Sequence, residues 1–220
     1  DKNKNFGPIY LTGNKIYLTP FTREHLETRD YWIWLNTLDT TKHLGLPDYI
    51  MPVSFEKLED YYKQNTNSGN DVLFAVIEKL TEKFIGTIRL SHINWISRVA
   101  MIGIMLGDLS SRGQGYASEM TELTVNYAFE VLNMNKLTAT AHNANTPSLK
   151  CFTRLGFVEE GILKEQFFMD GKYFDLYGAG GKTLIWIDTD NSGTSAPSGS
   201  GGYSVTVEVG SISTNDSANA

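Results

Sequence analysis

The spacing of hydrophobic residues changes repeatedly between a period of two and a helical period along residues 15–177. Alternation or a short apolar run predicts seven strands, with the sequences KIYLTPF, DVLFAVIE, FIGTIRLSHI, RVAMIGIMLG, KLTATAH, FVEEGILKEQFF and KYFDLYG. Helical spacing predicts helices over residues 22–38, 54–63 and 116–132, and a short helix that begins at Asn145. The resulting order, β, α, α, β, β, β, α, β, α, β, β, is that of a mixed α+β domain.

Residues with special backbone preferences mark several ends of these elements. Ser54 is a suitable N-cap, and Pro147 fits the first turn of its helix because the N–H that proline lacks has no partner there. Gly156 is placed to end the same helix as a C-cap. Asp170 and Gly171 join the last two strands with a dipeptide that favours a type I′ hairpin.

The composition changes near Gly178. From Thr183 onward the chain has no lysine, arginine or histidine, and TDNSGTSAPSGSGG has the composition of a flexible linker. Two segments of this tail, TLIWID and YSVTVEV, have the pattern of strands. We therefore expect a main domain over residues 1–180 and a β-rich, Ser/Gly/Thr-rich tail over residues 181–220. Two interpretations of the tail stay open: an unstructured appendage, or an extra hairpin that packs on this chain or on a partner.

The overall composition narrows the classes of function. A chain of 220 residues, 41% of them hydrophobic, can form one substantial core, and one domain suits it better than two. A net charge of −6 without a basic cluster argues against nucleic acid as a partner. The single cysteine, Cys151, excludes an internal disulfide and a cysteine-rich zinc site, and we predict no metal site. The sequence shows no long apolar run and no signal peptide, so we expect a cytoplasmic protein without a membrane partner.

The segment between the RVAMIGIMLG strand and the following helix carries the clearest chemical signal. A helix N-terminus after a strand offers unpaired N–H groups and the positive end of the helix dipole, which together attract anions. Gly113 and Gly115 leave the backbone open to phosphate oxygens. Arg112 adds positive charge, and Ala117 keeps the first turn small. This pattern is typical of a pyrophosphate site; the alternative is a tight turn without a ligand.

Three other ligand motifs fit the chain less well. The dinucleotide pattern G-x-G-x-x-G needs glycine or alanine at Ser118 and belongs in a parallel βαβ unit. GAGGKT, residues 178–183, resembles the end of a P-loop, but the first glycine of that motif would fall on Leu176. DTDNSG, residues 188–193, resembles the start of a calcium loop, but its twelfth position is Gly199 instead of glutamate.

Over residues 15–177 the chain resembles the GNAT superfamily of acetyl-coenzyme A dependent N-acetyltransferases. The family signature R/Q-x-x-G-x-G/A matches Arg112, Gly115 and Ala117. NANTPSLKCFTRLGFVEEG is similar to the family segment Asn-x-x-Ser…Leu-Gly-Phe…Glu-Gly. FFMDGKYFDLY resembles the closing hairpin of the branch that acetylates ribosomal-protein N-termini, spermidine and amino sugars.

The resemblance implies a mixed, mostly antiparallel sheet of about seven strands, flanked by about four helices and splayed between residues 99–106 and 137–142. Acetyl-coenzyme A would lie in the splay, with its pyrophosphate on the N–H groups of residues 113–117. Its pantetheine arm would run beside the backbone of residues 104–106, and its sulfur would lie near Ser148. The cofactor-binding residues implied in this way are Ile104, Met105, Leu106, Arg112, Gly113, Gln114, Gly115, Tyr116, Ala117, Asn145 and Ser148.

Acetyl transfer to an amine needs a deprotonated amine, a donor for the carbonyl oxygen and a proton for the leaving thiolate. The chain departs from the commonest family pattern, because Phe152 replaces a tyrosine acid and Met101 replaces a glutamate. Ser148 matches the serine of the ribosomal-protein branch, so we expect it to be the acid. As the base, Glu165 is the first candidate and His92 the second. For each, the alternative is a surface side chain, and a chain of water molecules could replace both.

Other reactive-looking residues are better explained by packing. Tyr31, Trp32 and Trp34 could line an acceptor pocket, but aromatic residues at helical spacing belong more often to a core. Cys151 lies inside a predicted helix without a histidine nearby in the sequence, so we expect a packed, small hydrophobic residue.

The expected function is transfer of an acetyl group from acetyl-coenzyme A to a primary amine, by direct attack in a ternary complex. SHINWISRVAMIGIMLGD most resembles branches that act on amino sugars or protein N-termini, so the expected partner is a small-molecule amine or a peptide N-terminus. A polyamine acetyltransferase and a non-catalytic acyl-coenzyme A binding module stay open as alternatives. A homodimer, and use of the tail for assembly, also stay open.

Overall fold

The protein is described by a computed structural model, in which residues 6–44 and 51–180 are described. The predicted tail over residues 181–220, with its two candidate strands, lies outside the described residues. The strands are β1 (Leu11–Thr12), β2 (Ile16–Pro20), β3 (Val72–Glu78), β4 (Lys83–Asn94), β5 (Val99–Leu106), β6 (Lys136–His142), β7 (Val158–Met169) and β8 (Lys172–Gly180). The α-helices are α1 (Arg23–Glu27), α2 (Asp30–Leu35), α3 (Leu38–Thr41), α4 (Phe55–Thr66), α5 (Tyr116–Asn126) and α6 (Thr146–Arg154).

The strands form one mixed, mostly antiparallel sheet, as predicted. Their order in the sheet is β1-β2-β3-β4-β5-β6-β8-β7. Neighbouring strands are antiparallel except for β5 and β6, which run parallel. All seven predicted strands are present in the described residues, and the eighth, β1, is a two-residue strand paired with β2. A strand of that length is too short to show a period in the sequence.

The helix predicted over residues 22–38 is wrong as one element, because the structure divides it into α1, α2 and α3. Arg29 takes a left-handed conformation with φ of 61° and separates α1 from α2. The Thr28 hydroxyl donates to the carbonyl of His25 at 2.8 Å and accepts from the N–H of Asp30 at 3.2 Å. These local side-chain bonds compete with the helical ladder, which explains the break.

The long helix after β5 has the predicted length but changes its winding near the end. The α-helix α5 stops at Asn126, and Tyr127–Val131 continues as a π-helical turn. The N–H of Leu132 donates to the carbonyl of Tyr127 at 3.1 Å. The Tyr127 ring packs edge-on against Tyr10, with centroids 5.5 Å apart, so the widened turn coincides with a packed aromatic residue.

The predicted turns and caps agree with the described backbone. Asp170 and Gly171 both have positive φ, at 50° and 75°, as a type I′ hairpin turn requires. Ser54 caps α4 by accepting from the N–H of Lys57 at 3.2 Å. Gly156, with φ of 82°, follows α6 in the left-handed conformation of a helix C-terminus.

Two apolar cores lie on opposite faces of the sheet. One packs β5 and β6 against α5 and α6, and includes Ile102, Met120 and Leu137. The other lies under α1, α2 and α4 and includes Tyr31 and Trp34, so these two residues are core residues as expected. Full burial of such a side chain contributes roughly 1.5–3 kcal/mol.

In residues 6–44 and 51–180, no helix combines the length and the apolar character needed to span a membrane.

Candidate active site

An opening in the sheet lies between β5 and β6. These strands pair at only three positions, Val99–Lys136, Ala100–Leu137 and Met101–Thr138. Beyond them β6 pairs with β8, while β5 keeps β4 as its partner. Two halves of the sheet, β1–β5 and β6–β8, therefore diverge after Met101, and β5 and β6 form the two walls of the opening.

The alternation of side chains identifies which residues share a face of the opening. Leu137 and Ala139 of β6 belong to the core under α5 and α6, so Thr138 and His142 point to the other face. Met105 lies on that same face, in the core under α1, α2 and α4. Counting from the Met101–Thr138 pair places His142 level with Met105, on the opposite wall.

A glycine turn follows the end of β5. Gly113 and Gly115 have φ of 77° and 87°, a conformation that side chains rarely adopt. A Cβ atom added to either would have open space around it, since no heavy atom of the described residues other than its chain neighbours lies within 4 Å. Gly115 is the N-cap of α5, and as a glycine it has no side chain with which to cap the helix. The first N–H groups of α5 are therefore available for a ligand, and the space in front of them fits the predicted phosphate.

Asp108 holds the polypeptide at the start of this turn. Its carboxylate accepts from Lys83 at 2.8 Å, from the Ser111 hydroxyl at 2.7 Å and from the Ser110 hydroxyl at 2.9 Å. Burial alone would raise the pKa of Asp108, but these hydrogen bonds outweigh it and lower the pKa to about 2. The anchor therefore stays ionised at neutral pH.

Two cations adjoin the glycine turn. The guanidinium of Arg112 donates to the carbonyl of Asp39, in α3, at 3.3 Å. The ammonium of Lys15 donates to the carbonyl of Gln114 at 3.1 Å, and the backbone N–H of Lys15 donates to the Glu119 carboxylate at 2.8 Å. Lys15, directly before β2, thus adds positive charge to the turn although it lies 99 residues from Gln114 in the sequence.

Asn145 and Ser148 lie together at the start of α6. The side-chain oxygen of Asn145 accepts from the N–H of Ser148 at 3.3 Å, which caps the helix. Ser148 is half-buried in the first turn of the helix. The cap fixes both residues directly after β6, at the wall that faces β5.

A short segment, residues 38–44, connects the two halves of the sheet across this region; we call it the bridging segment. At one end the carbonyl of Asp39 accepts from Arg112. At the other end Nδ1 of His43 lies 2.9 Å from Nε2 of His142, the last residue of β6. The two imidazole rings are stacked, with centroids 5.1 Å apart.

Comparison with known proteins decides the family. A family model described as Acetyltransferase (GNAT) domain matches residues 15–158. The chain belongs to the GNAT acetyltransferase family. The α+β fold that the resemblance implied is thereby confirmed, and so is the prediction of an acetyltransferase.

The relatives of this GNAT protein include enzymes with a stated acceptor. A spermidine N(1)-acetyltransferase of Vibrio cholerae serotype O1 is 32% identical over 123 residues, which make up 56% of this chain and 70% of that protein. One from Escherichia coli K12 is 32% identical over 163 residues, 74% of this chain and 83% of that protein. A crystal structure of the Vibrio cholerae spermidine N-acetyltransferase with CoA and spermine has a TM-score of 0.69 at 26% identity, covering 76% of this chain and 95% of that chain.

Two positions of this GNAT protein cannot supply a proton. Phe152 is buried and packs on Phe157, with ring centroids 5.1 Å apart. Met101 is 37% exposed, at the last point where β5 and β6 pair. Cys151 is buried, with its sulfur 3.8 Å from the Thr121 hydroxyl, which agrees with the expected packing role.

Glu165 and His92, the two candidate bases, both lie on the surface at irregular points of strands. Glu165 has φ of 50° at a bulge of β7, where its backbone N–H donates to Asp175 at 3.1 Å. His92 has φ of 53° at a bulge of β4, with Nδ1 3.2 Å from the Ser91 hydroxyl. Their catalytic roles stay predictions.

Sequence reasoning missed three polar residues of this region: Lys15, His43 and His142. Each makes its contact across about a hundred residues, so no local spacing could have revealed it. The one available signal was the position of His142 at the end of the KLTATAH strand, directly before the NANTPS segment.

Proposed function

We propose that this GNAT protein transfers an acetyl group from acetyl-coenzyme A to a primary amine, by direct attack in a ternary complex. The observation that carries the proposal is the glycine turn, with Gly113 and Gly115 in left-handed conformations and open space before the uncapped N-terminus of α5. The solved Vibrio cholerae relative with CoA and spermine supports both substrates of this reaction.

The residues present fit the thioester substrate. The N–H groups at the start of α5 would hold the pyrophosphate, assisted by Arg112 and Lys15. The wall formed by β5 loses its pairing with β6 after Met101, so its backbone groups at Ile104–Leu106 can bind the pantetheine amides. Acetyl-coenzyme A supplies the activated acetyl group. Ser148 would donate a proton to the departing thiolate.

The chemical class of the acceptor is proposed at two levels of detail, a primary amine in general and the particular kind of amine. A primary amine is common to all candidates, and an amino sugar or a peptide N-terminus is the acceptor that the sequence predicts. A polyamine is the second candidate, favoured because the relatives from Vibrio cholerae and Escherichia coli are named for spermidine. A cytoplasmic location and a homodimer likewise stay predictions.

An amine panel scored by release of free thiol tests the proposal. The panel contains a 2-amino sugar, a peptide with a free N-terminus and spermidine, each matched with its N-acetylated form as a blocked control. We expect steady thiol release with at least one free amine and none with its blocked form. Saturable binding of acetyl-coenzyme A without thiol release from any amine would instead support a non-catalytic binding module.

A further inference from the structure

His142 lies in an apolar slot at the end of β6. Its side chain is fully buried, and its ring stacks on Phe167 with centroids 4.1 Å apart and planes within 14°. Phe174 packs against another side of the ring at 5.7 Å. Nδ1 of His142 is buried and has no hydrogen-bond partner among residues 6–44 and 51–180. A buried, unpaired ring nitrogen costs free energy, so its presence calls for an explanation, and a catalytic role is one such explanation.

His43 is the partner of His142 and is only half-buried. Burial lowers the pKa of His43 from its usual value, and the charges of Lys42 and Arg112 lower it further. The charges of Asp170 and Asp39 raise the pKa of His43, but they do not outweigh burial and the two cations. Burial also lowers the pKa of His142, to about 4, with His43 contributing. Both rings are therefore neutral at neutral pH, and a single proton joins Nδ1 of His43 to Nε2 of His142.

The position of the pair relates it to the proposed thioester site. His142 is level with Met105 on the opposite wall, and the pantetheine arm is proposed to run beside residues 104–106. His43 is attached to the bridging segment, which also contacts Arg112 at the glycine turn. The histidine pair thus adjoins the opening on the face of the sheet that carries Met101. The strand β5 itself provides no ionisable side chain there.

We propose that Nε2 of His43 accepts the proton of the acceptor amine, and that His142 is a positioning residue for it. This inference rests on the proposed acetyl transfer. In the tautomer that it requires, Nδ1–H of His43 donates to Nε2 of His142, which leaves the lone pair of His43 Nε2 free. A bond forms between the amine nitrogen and the acetyl carbon, and the carbon–sulfur bond breaks. One proton of the nitrogen passes to His43, and the thiolate takes a proton from Ser148 or water.

The arrangement explains why a second histidine supports the first. After His43 gains a proton, its Nδ1–H donates to His142 as a charge-assisted hydrogen bond, which is stronger than the neutral one. The hydrogen bond to His142 also fixes the orientation of the His43 ring, so that Nε2 of His43 points in one direction. A catalytic base needs a third group that orients it in this way.

Two variants test this assignment with thiol release and with direct titration of acetyl-coenzyme A. His43→Gln should reduce kcat at pH 7 by about 100-fold or more, the usual range for loss of a general base, with an unchanged Kd for acetyl-coenzyme A. His142→Phe keeps the stack on Phe167 but removes the hydrogen bond to His43, so it should reduce kcat by about 10-fold. Leu38→Gln, in the same segment with its side chain 71% exposed, is the matched control and should behave like the wild type.

The pH profile separates a base from a structural residue. Below the pKa of His43 the wild type loses both the free amine and the free base, so log(kcat/KM) should rise with a slope of about two. In His43→Gln only the slope of about one from the amine should remain. Imidazole ¹⁵N chemical shifts of the wild type should show His43 protonated at Nδ1 at neutral pH, and this tautomer preference should be lost in His142→Phe.

The outcomes distinguish this inference from the proposed function. Wild-type thiol release with an unchanged rate and slope in His43→Gln would overturn the base assignment alone. A neutral His43 protonated at Nε2 in the ¹⁵N spectrum would overturn it even before any acceptor is known. No thiol release by the wild type with any amine would refute the acetyl transfer itself, and the base with it.

Discussion

The two halves of the split sheet each bury one histidine, in opposite ways. In the half formed by β1–β5, His25 is a buried residue of α1, and its Nδ1 accepts from the N–H of Thr22 at 2.9 Å. Its Nε2 lies 3.3 Å from the Thr19 hydroxyl, so both ring nitrogens have partners within six residues of the chain. In the half formed by β6–β8, His142 bonds to His43, 99 residues away, and its other ring nitrogen has no partner in the part of the chain that the structure describes.

From this difference we infer a structural role for His25 and a chemical role for His142. The β1–β5 half is followed directly by the glycine turn, the proposed phosphate site, and it buries a histidine whose ring nitrogens both have partners. The β6–β8 half depends on a segment from the other half to complete its histidine. Mutations should therefore be able to change the binding of acetyl-coenzyme A and the proton transfer separately, and the following experiments test that separation.

The largest effect is expected at the glycine turn. Gly115→Glu would force a side chain into a left-handed conformation and place negative charge before the N-terminus of α5. We expect binding of acetyl-coenzyme A to weaken by at least about 100-fold in isothermal titration. Gly69→Glu, at an open surface position without positive φ, is the control. Unchanged affinity in a folded Gly115→Glu protein would contradict the phosphate assignment.

The second effect is on stability and compares the two buried histidines. Burial lowers the pKa of His25 to about 4, against about 6.5 in an unfolded chain. Stability present above pH 6.5 should therefore be lost as the pH falls toward 4, by up to about 3 kcal/mol for His25. Urea unfolding across this range measures it.

Two variants identify the side chains that cause this loss of stability at acid pH. His25→Gln should flatten the fall in stability, and the part that remains should report the other groups whose pKa is lowered, among them His142, His43 and Asp108. His92→Gln, at an exposed histidine, should keep the full pH dependence. A His25→Gln protein with the wild-type pH dependence would show that His25 is not its source.

The third effect concerns the start of α6. Ser148→Ala removes the proposed acid but keeps the backbone N–H that Asn145 caps. We expect kcat to fall by about 10- to 100-fold, with an unchanged Kd for acetyl-coenzyme A. Thr153→Ala, an exposed position of the same helix, is the control. A wild-type rate in Ser148→Ala would remove Ser148 from the reaction.

The smallest effect is expected at Arg112. Arg112→Ala removes an exposed charge beside the glycine turn together with its contact to Asp39. We expect a 5- to 10-fold weaker Kd for acetyl-coenzyme A, about 1 kcal/mol, with a loss that shrinks at high salt. Arg98→Ala, whose exposed side chain contacts Asn133, should leave the Kd unchanged. Salt-independent or absent weakening would contradict a phosphate role for Arg112.

Local signals predicted much of the fold. The Asp170–Gly171 turn, the Ser54 cap and the glycine turn after β5 depend on conformations that a few adjacent residues determine. The break near Arg29 was missed, because Thr28 bonds its neighbours instead of continuing the helix. Glu165 and His92 stay predictions as the proton acceptor that side-chain chemistry suggests, whereas the pairing of His43 with His142 depends on how the bridging segment packs.

The sequence by itself determined the family, the order of strands and helices and the glycine turn that we propose as a phosphate site, because each depends on period, backbone preference or adjacent residues. The tertiary structure alone decided that Lys15 lies beside the glycine turn and that His43 contacts His142. The physical reason is that such contacts form only when the folded chain brings together segments that lie about a hundred residues apart. No arrangement of neighbouring residues in the chain encodes a contact of that kind.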